Sequence, residues 1–254
     1  MRALEMLAHK AWRESRTRFV LGALVLAAVC VVFVVFHAEF RRLMGATRPP
    51  ASTYGGYLYL RIYESIGRAM FWLIAIVLGL GGLWRERAHG TIGFTLALPV
   101  HRWHHAVARA AVGVLQVIAL ALVPALLVPV CSRLVGASYP WSQALGFAVI
   151  WAAAGCVVFA FAFVTSVMIR SDYVALAVAV LGMRIGSGAL PRLPGLAGAD
   201  LHRIMTGRGM AYFDAEHAQL IATPWLTAAA TALVAIAMLA LAVRITARQR
   251  FHEP

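Results

Sequence analysis

The sequence predicts an all-α, polytopic membrane protein with six transmembrane helices, and three observations carry that prediction. Hydrophobic residues make up 62% of the 254 and charged residues only 13%, against about half and about a quarter in a soluble domain. Mean hydropathy is +0.79. Six stretches are as long as the roughly 17–20 apolar residues a helix needs to cross a bilayer. The formal charge of +13 is almost wholly arginine, because Lys10 is the only lysine. In a multispan chain such charge belongs to membrane-flanking loops facing anionic headgroups. No soluble basic domain is present to bind nucleic acid.

The elements follow in order. In residues 1–18, Leu4, Leu7, Ala8, Ala11 and Trp12 recur at helical spacing among Arg2, Glu5, Lys10, Arg13 and Glu14. This predicts an amphipathic helix lying in the membrane interface before the chain turns into the bilayer. The charged region is too long for a signal peptide and no A-x-A site follows Phe36, so the segment is expected to be retained. The first span, 19–36, is uncharged, and the second, 66–84, has only Arg68 near its start. The third, 106–130, has Arg109 near one end, with Pro124 and Pro129 expected to bend it. The fourth, 145–169, is uncharged, the fifth, 172–190, contains Arg184, and the sixth, 225–243, is alanine-rich. Only Arg170, Ser171 and Asp172 separate the fourth run from the fifth, which requires a tight helical hairpin; Asp172 is expected to cap the helix or pair with Arg170. The remaining segments, 37–65 and 191–224, are rich in turn residues and have room for short helices dipping back toward the bilayer.

An even number of spans puts both termini on one side. Arg2, Lys10, Arg13, Arg16 and Arg18 before the first span, Arg85, Arg87 and Arg102 in the loop 85–105, and Arg244, Arg248 and Arg250 at the tail place that side in the cytoplasm. Arg41, Arg42, Arg48 and Arg61 then face outward, in a longer loop where charge carries less weight.

Few residues carry chemistry. His101, His104 and His105 form an H-x-x-H-H box, a spacing suited to a membrane-bound metalloenzyme. Two irons need roughly eight ligands, yet the other six histidines are scattered singly. On a helix, His104 and His105 point about 100° apart, so at most two of the three share a face. The box reads better as a basic, interfacial exit beside Trp103, with no metal, and the metal-dependent enzyme stands as the alternative. G-x-S-x-G and H-E-x-x-H are absent. Cys30, Cys131 and Cys156 form no C-x-x-C pair and read as small hydrophobes. Arg184, within a span, is by default a functional residue; it lies about 18 Å along its helix from Asp172. It can snorkel to the outer interface or serve as an anionic-substrate or gating contact. Gln116 offers an interhelical hydrogen bond or a pathway ligand. Gly182 and Gly186 form a G-x-x-x-G that permits close helix contact, including contact with a second copy.

The loop reads WRERAHGTIGFTLALPVHRWHHAVAR from Trp84 to Arg109. Gly90 breaks the preceding helix, Thr91 can cap a new one, and Pro99 stops it after about two turns. Ile92, Phe94 and Leu96 or Leu98 are then available to a partner's groove, although a loop that merely caps a hairpin would have the same periodicity. This stretch resembles the membrane subunits of type-2 ABC transporters, the exporter-like permease family. In that family an E-x-x-x-G-T pattern, an apolar turn or two and an L-P-x-S/T-R pattern join the second and third spans. Glu86, Gly90, Thr91, Pro99 and Arg102 occupy the matching positions, His101 replaces the small hydroxyl, and Arg109 stands near a common lysine.

The resemblance implies a coupling helix driven by a separate ATP-binding cassette subunit, and a second permease copy completing a homodimer or heterodimer. It implies a bacterial cytoplasmic (inner) membrane location, contact with membrane lipid, and no catalysis in this chain. No Walker A motif is present, so no cofactor is expected here, with ATP and Mg²⁺ held by the partner. Met205, Met210, His202 and His217 make a permease supporting copper-enzyme maturation a further variant, and a non-transporting scaffold or sensor is a third class.

Overall fold

The computed structural model describes residues 2–43, 51–80, 102–169, 171–189 and 200–248. Helix α1 spans Arg2–Val35 and α2 His37–Leu43. The second span is built from α3 (Tyr54–Leu58), a π-helical segment (Tyr59–Ser65) and α4 (Ile66–Gly79). After it come α5 (Arg102–Leu134), α6 (Trp141–Met168), α7 (Asp172–Ala189) and α8 (Leu201–Thr206). Strands β1 (Phe213–Asp214) and β2 (Gln219–Leu220) precede α9 (Trp225–Arg248). The chain is a multi-pass, predominantly helical membrane protein. Among the described residues, five stretches are long and apolar enough to cross a bilayer: Glu5–Val35, Tyr54–Gly79, Trp103–Leu134, Trp141–Met168 and Trp225–Arg248.

Three expectations change. The leader and the first span are one helix, not an interfacial helix that turns at residue 19: no proline interrupts Arg2–Val35 and its hydrogen bonding continues into the bilayer run. At 1.5 Å per residue α1 is about 51 Å long, well beyond the ~30 Å hydrocarbon core, so the helix extends past it. The second span starts at Tyr54 rather than Ile66. Thr53 caps it by accepting a hydrogen bond from the Gly56 amide at 3.2 Å, and the helical stretch takes in Arg61 and Glu64. The fifth run, 172–190, is helical as α7, and its stretch Tyr173–Ile185 is apolar. Finally, the fold is not purely helical, because β1 and β2 pair antiparallel with Phe213 opposite Leu220. Gln143, in the first turn of α6, binds the backbone of Leu220 through both amide atoms, each at 2.8 Å. Helix α5 runs through Pro124 and Pro129 as a single element.

The core gathers around α6, the most buried span. Tyr63 stacks on Phe147 with ring centroids 4.2 Å apart, and Phe71 meets Trp151 at 4.9 Å. Small residues admit the neighbouring helices. A Cβ on Gly79 would lie 2.7 Å from the Phe159 carbonyl oxygen and 3.1 Å from the Phe163 amide nitrogen. The end of α4 therefore packs backbone to backbone against α6. Gly182 takes the ring of Phe161 within the same chain, so this residue of the G-x-x-x-G is used in packing α7 on α6. At the α6–α7 turn the Val174 amide reaches Ser171 Oγ at 3.5 Å, so Ser171 occupies the capping position expected of Asp172.

Candidate functional site

The loop between the second and third spans begins at the end of α4, where a helix presents four carbonyls without intrahelical partners and the negative end of its dipole. Side chains from three other spans converge there. Arg18 of α1 donates through Nη1 to the Leu80 carbonyl at 2.9 Å and toward the Val77 carbonyl at 3.5 Å. Arg109 of α5 donates through Nη2 to the same Leu80 carbonyl at 3.2 Å. Ser166 Oγ of α6 reaches the Gly79 carbonyl at 3.3 Å. The Ile76 carbonyl takes the Leu80 amide at 3.1 Å. Cations at a helix C-terminus are favourable, and hydrogen bonds from charged donors are about twice as strong as neutral ones. One turn before Arg18, Ser15 Oγ accepts from Gln116 Nε2 at 2.8 Å. Gln116 is 2% exposed, so this bond ties α1 to α5 inside the bundle. Gln116 is thus placed in an interhelical contact next to the loop's point of departure.

The opposite end carries a second polar group of residues, where α8 and the β-hairpin cover the second span. Glu64 forms an ion pair with Arg208 at 2.7 Å. Tyr59 Oη donates to the Thr206 carbonyl at 2.9 Å, and Trp72 Nε1 donates to Met205 Sδ. Arg68 lies over the Trp72 ring, 5.2 Å from its centroid, and donates through Nε to the Glu64 carbonyl at 3.0 Å. Asp200 caps α8 through the His202 amide at 2.9 Å, and Gly207, with φ +76°, ends it. Burial pushes the Tyr212 hydroxyl up to about 12, so it stays a neutral donor to the Ile204 carbonyl at 3.3 Å. Arg184 is exposed on α7 and joins this end of the molecule, where its charge acts on Arg68 and His202.

His202 registers that environment. Burial, and then the charges of Arg68, Arg208 and Arg184, hold its pKa below the ordinary 6.5, while Asp200 opposes them. The folded state therefore binds fewer protons than the unfolded chain in the window just below pH 6.5. The contribution is present above pH 6.5 and is lost as pH falls through the depressed value. After correction for the base-catalysed intrinsic rate, acidification from pH 7.5 to 5 is expected to lower the amide protection factors in Leu201–Thr206, and His202→Gln to flatten that dependence. Protection factors in α8 that do not change with pH would contradict it. On the exposed hairpin the signs run the other way for His217. A hydrogen bond to Asp214 at 2.6 Å raises the imidazole and lowers the carboxyl.

Several expected site residues, Glu86, Gly90, Thr91, Ile92, Phe94 and Pro99, lie outside the described residues, as does His101 of the histidine box. Arg102 opens α5. His104 stacks on Trp103 with ring centroids 3.7 Å apart. Among the described residues, no three His, Cys, Asp or Glu side chains converge as metal ligands. Of Met205, Met210, His202 and His217, Met205 is engaged by Trp72, and His217 by Asp214. Neither placement supports a metal-dependent alternative.

Sequence reasoning missed the roles of Arg18, Ser166 and the Gly79–Leu80 carbonyls. One signal was available: Arg18 and Arg109 are the last charges before two long uncharged runs, each at the starting end of its span. Ser166 gives no such signal. A protein-family model described as ABC-2 family transporter protein matches residues 6–184. The match covers α1 through most of α7, including the loop between the second and third spans. No curated protein matches the chain.

Proposed function

The chain belongs to the ABC-2 family of transporter proteins, and on that premise we propose that it is the membrane-spanning permease subunit of an ATP-driven exporter. The family match across the loop that follows α4 carries this reading. Membership makes the chain a transport component rather than a catalyst, and implies association with an ATP-binding subunit. ATP and Mg²⁺ are then held by that subunit, and this chain needs no cofactor of its own. Closure of the nucleotide-bound partners pushes the loop 85–105. Glu86 and Arg102 meet the partner's charges, Gly90 and Pro99 delimit the coupling helix, Thr91 caps it, and Ile92 and Phe94 fill an apolar groove. A second permease copy completes the path. The arginines flanking the bundle favour a bacterial cytoplasmic membrane with both termini in the cytoplasm. Arg184 and Arg68 then sit at the outer end, where gating of an anionic group is their proposed role.

Purification from the native host in mild detergent tests this directly. The expected result is co-purification of an ATP-binding subunit with Mg²⁺-dependent ATPase activity. A chain that emerges alone, without ATPase and with stoichiometric iron or zinc lost on His104→Ala, would overturn the reading in favour of a metalloenzyme.

A further inference from the structure

The Leu80 carbonyl is the last described backbone group before the loop, and two guanidiniums from different spans share it. Arg18 and Arg109 approach it at 2.9 and 3.2 Å. Ser166 holds the adjacent Gly79 carbonyl, and Gly79 itself lies against the α6 backbone. Leu80 is 7% exposed, so these bonds are sheltered from competing water. Gln116 and Ser15 add a cross-tie between the two helices that supply the arginines. The last turn of α4 is consequently fixed to α1, α5 and α6 at one level, on the side from which the loop departs.

We infer that Arg18 and Arg109, acting on the Leu80 carbonyl, are positioning residues that pass a displacement of the loop to the first and third spans together. This rests on the proposed coupling function and adds to it the point where force enters the bundle. A helix end with unpaired carbonyls would fray under load and absorb the displacement in its last turn. A clamped end moves as a unit with what clamps it. Arg18 reaches the Val77 carbonyl as well as that of Leu80, both through Nη1, and Arg109 reaches that of Leu80 through Nη2 from α5. Lysine keeps a charged donor but not the planar guanidinium, so it is expected to restore the clamp in part at either position.

The test uses the full chain with its co-purified ATP-binding subunit, in a background with Cys30, Cys131 and Cys156 replaced by alanine. Spin labels at Leu43→Cys and Ile221→Cys, which are 80% and 70% exposed, report the end of the bundle remote from the loop. The probe is ATP with orthovanadate, so no transported substrate is required. Amide exchange over residues 77–80 is followed in parallel. In the double variant Arg18→Leu/Arg109→Leu, exchange there is expected to rise about tenfold or more, the loss of charged-donor bonds being worth at least that factor. The vanadate-dependent change in label distance is expected to fall by more than half while ATP hydrolysis continues. Arg109→Lys and Arg18→Lys each recover the change in part. A distance change that survives the double variant overturns the inference, since the arginines would then only cap a helix. A parallel fall in ATPase, label response and thermal stability also overturns it, because that is the signature of a damaged fold. If the parent complex shows no vanadate-dependent change at all, the ATP-driven reading itself fails, and the inference with it.

Discussion

Gly79→Val is expected to destabilise the bundle by about 3 kcal/mol, near the upper range for overpacking a filled core. A Cβ at this position would stand 2.7 Å from the Phe159 carbonyl oxygen, 2.8 Å from the Ala162 Cβ and 3.1 Å from the Phe163 amide nitrogen. Two of those neighbours are backbone atoms of α6, so no side chain can rotate away; the two helices must separate. Separation would also lengthen the 3.3 Å bond from Ser166 to the Gly79 carbonyl and loosen the hold of Arg18 and Arg109 on Leu80. Valine adds two methyl groups to the clash and is expected to exceed Gly79→Ala. The comparison position is Gly55, where an added Cβ meets nothing within 4 Å. Gly55→Ala is expected to be neutral or stabilising by about 0.5 kcal/mol, through the entropy of the unfolded chain and helix propensity. Unfolding in mixed micelles, followed by tryptophan fluorescence, measures both. Equal effects at the two positions would mean that α4 and α6 are not in backbone contact.

The hydrophobic runs made the membrane class and most of the spans legible, because crossing a bilayer is a one-dimensional requirement on length and polarity. Trp141–Met168 and Trp225–Arg248 match the runs expected at 145–169 and 225–243 to within a few residues at each end. The boundaries that failed did so where the local signal and the tertiary environment disagree. Arg61 and Glu64 interrupt the apolar run before Ile66, and Gly55 and Gly56 stand in a segment rich in turn residues. In the folded chain Glu64 pairs with Arg208 and Arg68 stacks on Trp72, partners that lie far away in sequence or a helical turn ahead. The same holds for the β-hairpin, whose strands are two residues each and depend on Gln143 for their outer pairing. The loop motif was legible as a pattern because Gly, Thr and Pro act locally on the backbone. What receives the loop was not. Nothing in the sequence distinguishes Ser166 from Thr165, yet only Ser166 reaches across to Gly79. A carbonyl such as that of Leu80 has no letter of its own.

Reversing Glu86 to arginine is expected to lower ATPase-coupled activity of the assembled transporter about tenfold or more, a free-energy loss near ~1.4 kcal/mol. Charge is the physical basis. Acidic residues are scarce in this chain, ten against 23 basic ones, and Glu86 stands between Arg85 and Arg87. A lone carboxylate in a basic segment is a selective contact for a basic group on the partner, and reversal turns attraction into repulsion at an interface of lowered dielectric. Glu86→Gln removes the charge without introducing repulsion and is expected to have a smaller effect. A bulky replacement at Gly90 is expected to act by another route, displacing the helix break, the Thr91 cap and the apolar Ile92 and Phe94 contacts proposed for the loop. The two classes separate on salt. Added salt screens the repulsion of Glu86→Arg and is expected to restore part of the activity, whereas Gly90→Trp gains nothing from it. The assay is vanadate-sensitive ATPase of the co-purified complex in lipid nanodiscs, with pull-down of the ATP-binding subunit at each salt concentration. Full activity and full partner retention in both variants would remove the loop between the second and third spans from the coupling pathway. The Leu80 clamp would then be a helix cap and no more.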